Sequence, residues 1–143
     1  MRVNLSFDTI DINGEHTITG MKAIMEKRED GYRLVYVEKL SEDGKSIANS
    51  ELILRKDGMR MKRKGAIVSD FLYENNMVHN TSYTTPYGTL PITITTDTYE
   101  FCEALGETDI RARAVYSLAV AKEEPMRLDV IIRITEDGSG TNL

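Results

Sequence analysis

The feature that most limits what this chain can fold into is a period of two in its apolar residues, interrupted by turn sequences at short intervals. In Met126 to Ile134, residues Met126, Leu128, Val130, Ile132 and Ile134 share one side of an extended chain. Arg127, Asp129 and Arg133 share the other, with Ile131 the exception. Ile92 and Ile94 alternate with Thr93 and Thr95, and Met59 and Met61 alternate with Arg60 and Lys62. Side chains alternate faces along a strand, so this pattern marks half-buried strands. The runs are separated by Asn13-Gly14, Asp30-Gly31, Asp43-Gly44, Asp57-Gly58, Asn75-Asn76, Pro86-Tyr87-Gly88 and Glu124-Pro125. Asp-Gly and Asn-Asn supply the positive-φ residues of tight hairpins.

Ten strands are expected, near 2–10, 15–28, 32–40, 47–55, 59–64, 66–73, 77–84, 89–98, 109–122 and 127–136. Tyr99 to Leu105 reads as strand end, single helical turn or loop, with Glu103 to Gly106 like a short helix stopped by glycine. Gly65 marks a corner or bulge. Strands joined by short sequential turns form an antiparallel meander. A meander must hide its two edges, and closing into a barrel does so completely. The expected fold is therefore all-β, one antiparallel up-and-down barrel of about eight to ten strands spanning residues 1–143. A two-sheet sandwich would need longer crossover connections.

Composition narrows the function. A chain of 143 residues, 41% of them hydrophobic, can build its own core without staples. One cysteine excludes a disulfide framework and a multi-cysteine zinc site, and Cys102 reads as a reduced packing residue. The balance of 18 basic and 23 acidic residues, net −5, argues against a DNA-binding protein. Asn4, Ser6 and Asp8 break the apolar positions at the start, unlike a signal peptide. No apolar run approaches the ~20 residues of a membrane span. A cytoplasmic location is expected.

The stretch Met61-Lys62-Arg63-Lys64-Gly65, the strand Ile67 to Tyr73, and Tyr83-Thr84-Thr85-Pro86-Tyr87-Gly88-Thr89-Leu90-Pro91-Ile92 resemble the YwiB-like family, small bacterial proteins described as domain of unknown function 1934. The resemblance covers nearly the whole chain. It implies a calycin-like barrel, similar to lipocalins and fatty-acid-binding proteins. It implies no activity, and no functional residues carry over from it.

Enzymatic chemistry finds little support. Only two histidines are present, His16 and His79. There is no Gly-x-Ser-x-Gly elbow, P-loop or Gly-x-Gly-x-x-Gly sequence, and Gly138-Ser139-Gly140 reads as a frayed tail. Paired carboxylates such as Glu42-Asp43 and Glu123-Glu124 lie in expected turns. No catalytic residue, metal site or cofactor is expected.

Strand parity points instead to binding. If Met59 and Met61 face inward, so does Arg63, while Arg60, Lys62 and Lys64 face solvent. On strand 77–84 the inward set is Met77, His79, Thr81 and Tyr83; on 109–122 it includes Tyr116. An interior of methionines and tyrosines with one arginine suits a small amphipathic or anionic ligand, the arginine holding its acidic group. The candidate site is Arg63, His79, Tyr83 and Tyr116. The bland alternative pairs Arg63 with a protein carboxylate, Asp70 or Glu74. A second functional reading uses the basic hairpin 55–64 (Arg55, Lys56, Arg60, Lys62, Arg63, Lys64) as a protein- or RNA-interaction module; it requires Arg60, Lys62 and Lys64 to be exposed together and unpaired. The competing explanation is edge protection by lysine and arginine.

Overall fold

The computed structural model describes residues 1–103 and 109–137. Ten strands follow in order: β1 (Arg2–Ile10), β2 (His16–Arg28), β3 (Gly31–Lys39), β4 (Ile47–Arg55), β5 (Gly58–Gly65), β6 (Val68–Glu74), β7 (Val78–Thr85), β8 (Gly88–Glu103), β9 (Asp109–Val120) and β10 (Met126–Glu136). Each pairs antiparallel with its sequence neighbours, and β1 also pairs with β10, from Val3–Glu136 to Ile10–Asp129, which closes the barrel. Nine strands fall within two residues of their expected starts and ends. Among the described residues there is no helix, so none is long and apolar enough to cross a membrane.

The exception is β8, which runs on to Glu103. Its pairing with β9 shifts between Thr96 and Thr98, leaving Asp97 as an extra residue. Such a bulge exchanges the faces beyond it. Ile92, Ile94 and Thr96 are buried before it, and Tyr99 after it. The period of two is therefore broken in the sequence although the strand continues. The remainder of the expected short helix, and the expected tail at Gly138 to Gly140, lie outside the described residues.

The two ends of the barrel differ. Toward the β2–β3, β4–β5 and β6–β7 turns, Val3, Tyr32, Leu34, Leu54, Met59, Tyr73, Ile110 and Ile134 are almost wholly buried. Tyr32 donates to Glu103 at 2.5 Å and Tyr99 to the Arg55 carbonyl at 2.6 Å, so the phenols satisfy themselves at this rim. Toward the opposite turns, inward-facing Phe7, Met21, Tyr83, Leu118, Val120 and Leu128 are only partly covered. The first end is plugged by side chains, and the second is a bowl with an apolar wall.

Two expectations about facing need correction. Met77 precedes β7 and is exposed, because the turn at Asn75-Asn76 carries the chain outward there. Asn76 takes the expected positive φ of 58°. Cys102 is exposed rather than packed, because the bulge turns it outward on β8.

Candidate functional site

Pairing register places five inward-facing residues in one row across the bowl. Tyr36 on β3 lies opposite Ser50 on β4, Ser50 opposite Arg63 on β5, Arg63 opposite Ser69 on β6, and Ser69 opposite Tyr83 on β7. The inward reading of Arg63 therefore holds. Its side chain keeps about a quarter of its exposure, and Nε donates to Glu38 Oε1 at 2.9 Å. The same oxygen accepts from Ser50 Oγ at 2.7 Å. Asp70 and Glu74, the expected partners, are elsewhere. Asp70 faces outward and takes both Nε and Nη2 of Arg60, at 2.7 and 2.5 Å.

The surroundings keep Arg63 charged. Burial works against the charge, but Glu38 and the nearby phenols of Tyr36 and Tyr73 outweigh it and hold the guanidinium above its ordinary range. Burial pushes Tyr36, Tyr73 and Tyr116 in the neutral direction, with Arg63 opposing it in all three. Tyr73 and Tyr116 meet edge to face with ring centroids 4.8 Å apart. A guanidinium has five N–H donors, and among the described residues only Nε of Arg63 has a protein hydrogen bond.

Of the other candidates, Tyr83 lies on the Arg63 row and stacks on Phe71 at 6.3 Å. Tyr116 reaches the cluster through Tyr73. His79 does not join it. Beyond Ser69–Tyr83 and Val68–Thr84, β6 and β7 are not in register as a ladder. There the carbonyl of Asp70 accepts from Thr81 Oγ1 at 2.9 Å and lies 3.3 Å from His79 Nε2. His79 is thus a side-chain rivet across a seam. Glu38, Ser50 and Tyr36 were missed by sequence reasoning, although parity along β6, which turns Phe71 and Tyr73 inward, already excludes Asp70 and Glu74.

Beside this cluster a cleft of about 1200 Å³ opens through the wall between β2 and β3. Its inner lining includes Met21, Ala23, Tyr36, Glu38 and Ser50, and its outer rim Lys39, Lys62 and Lys64. Half of the basic hairpin is neutralised. Arg55 pairs with Asp30, Arg60 with Asp70 and Arg63 with Glu38. Arg60, Lys62 and Lys64 therefore do not form the unpaired set that the interaction-module reading required. Among the described residues no group of three histidine, cysteine or acidic side chains is placed to hold a metal ion.

Comparison with known proteins adds the following. Residues 8–132 match the family described as a domain of unknown function (DUF1934). The fold is similar to the crystal structure of the ywiB protein from Bacillus subtilis, with a TM-score of 0.78 at 14% identity, covering 95% of this chain and 92% of that one. No curated protein matches.

Proposed function

The chain belongs to the DUF1934 family, whose description assigns no activity, and we propose from the site alone that it is a non-catalytic cytoplasmic binding protein for a small amphipathic anion. The carrying observation is the pairing of a charged, incompletely bonded Arg63 with a bowl of inward-facing apolar side chains left partly open. An apolar body would lie against Phe7, Met21, Tyr83, Leu118 and Val120. Its acidic group would take the free Nη donors of Arg63, where a bidentate contact is strongest. The neutral phenols of Tyr36 and Tyr116 support it as donors. Glu38 holds the guanidinium in place and gives selectivity, since a ligand lacking negative charge has nothing to offer Arg63 that Glu38 does not already supply. His79, bound to a backbone carbonyl, serves the wall rather than the ligand.

Native mass spectrometry of the protein purified from its own host tests this reading. A reproducible small-molecule adduct is expected, and it should be lost in Arg63→Met. A protein that repeatedly carries no adduct, or an adduct retained in that variant, would overturn it.

A further inference from the structure

The barrel closes through a short seam. β2 pairs with β3 only from Ile24–Val35 to Arg28–Gly31. From His16 to Ala23, β2 has β1 on one side and, among the described residues, no strand on the other.

Ladder alternation identifies the groups left over. Met1 and Met25 exchange both backbone hydrogen bonds, at 2.8 and 3.2 Å. In an antiparallel ladder such pairs alternate, so Ala23, Met21 and Thr19 also aim their backbone groups at β1. Ile18, Gly20 and Lys22 then aim theirs into the gap. By the same alternation, continued from Val35, so do Val37 and Lys39 on β3. The cleft lining agrees. It includes every residue from Thr19 to Ile24 and from Val35 to Lys39. Consecutive residues of both parities line a cavity when the backbone edge itself is its wall.

Exposed edges are ordinarily blunted by proline, bulges or charge. The β2 edge, His16-Thr17-Ile18-Thr19-Gly20-Met21-Lys22, has no proline, no bulge and a single lysine at its end. Charge indicates the occupant. Lys39, Lys62 and Lys64 stand beside the gap, and among the described residues none forms an ion pair, although Lys62 lies in register between Glu51 and Asp70. That is a local surplus of positive charge on a chain of net −5. A second copy entering by its own β2 edge would bring the same lysines against these. We propose that this gap receives an extended acidic peptide of a partner protein, which adds to β2 as a strand and sets its carboxylates on Lys39, Lys62 and Lys64. Main-chain bonds would give affinity, and the lysines would select acidic sequences.

The test uses the intact protein and a fluorescein-labelled peptide of alternating Glu and Val, eight residues long, read by anisotropy and by amide exchange. Binding that weakens with salt is expected, with slowed exchange at Ile18, Gly20 and Lys22. Lys62→Glu with Lys64→Glu, both far from the ladder, should weaken it by about tenfold or more. Gly20→Pro, which removes one gap-facing N–H and leaves the β1 ladder bonds intact, should do the same. The matching Lys-Val peptide should not bind. Lys62→Glu with Lys64→Glu, whose side chains point to the opposite face of β5 from Arg63, should leave the small-molecule adduct in place, so the two proposals fail separately. No binding at millimolar peptide in low salt, or binding without protection of β2, or binding indifferent to the lysine reversals, would overturn the proposal.

Discussion

Removing Glu38 alone should destabilise the barrel more than removing Glu38 together with Arg63. Glu38 Oε1 accepts a charge-assisted bond from Arg63 at 2.9 Å and a neutral one from Ser50 at 2.7 Å. Bonds of these kinds contribute about 1.5–3 and 0.5–1.5 kcal/mol respectively. Truncating one partner of a deeply buried ion pair costs about 3–5 kcal/mol, because the other charge is stranded. Here the side chains retain 27% and 18% of their exposure, so water relieves part of that penalty. Glu38→Leu should therefore cost about 2–3 kcal/mol. In the double variant Glu38→Leu, Arg63→Met, no charge is stranded and two apolar side chains join the bowl, so the cost should fall to about 1 kcal/mol. Urea unfolding reads this directly. With a slope of about 2 kcal/mol per molar, the single variant should lose about 1 M in midpoint and the double roughly half that. A double variant as unstable as the two single variants added together would show that Arg63 and Glu38 do not act as a pair, and the site geometry argued above would fall with it.

Alkaline stability should follow the buried phenols. Burial raises Tyr36, Tyr73, Tyr99 and Tyr116 above the ordinary tyrosine value. Groups raised in the folded state stabilise fully below the unfolded pKa and lose that contribution as pH rises above it, so stability should decline from about pH 10 upward. Phenolate absorbance should show these tyrosines ionising together with unfolding; independent ionisation in the folded protein would refute their burial. Gly31→Ala should destabilise by about 3 kcal/mol or more, because its new Cβ would stand 1.8 Å from the Leu54 carbonyl oxygen across the ladder. Gly44→Ala, at φ +70° in open space, should cost only about 1 kcal/mol. Thermal unfolding separates the two, and equal effects would contradict the ladder geometry. Arg60→Ala should cost no more than about 1 kcal/mol, since Arg60 and Asp70 are both well exposed. A larger loss in denaturant would mean that this pair is screened from solvent.

Strand order and most strand ends were legible because they depend on local information. Turn residues such as Asn76 fix where a strand stops, and alternation such as Met59, Met61, Arg63 fixes which side chains share a face. Residues that meet across strands depend on register as well. Arg63 finds Glu38 only because β5 aligns Arg63 with Ser50 and β4 aligns Ser50 with Tyr36, placing Glu38 two residues further along β3 on the same face. Three strands separated by two turns must be aligned before that contact exists, and a slip of one residue would send Glu38 to solvent. The bulge at Asp97 shows the same dependence within one strand, since one extra residue hid the inward role of Tyr99.

The gap between β2 and β3 belongs to a third category, because strand lengths imply part of it and the course of β3 the rest. β2 has 13 residues and its neighbours β1 and β3 have nine each. The hairpin at Asp11 to Glu15 aligns β1 with the start of β2, while the tight turn at Glu29-Asp30 aligns β3 with its end. Nine residues of β3 counted back from Arg28 would reach Gly20, so the lengths leave only residues 16–19 uncovered on that edge; the ladder stops earlier, at Ile24–Val35, and β3 leaves β2 there, which widens the gap to Ala23. The departure of β3 therefore leaves a slot in the barrel wall, and the slot falls beside Lys39, Lys62 and Lys64, none of which forms an ion pair among the described residues.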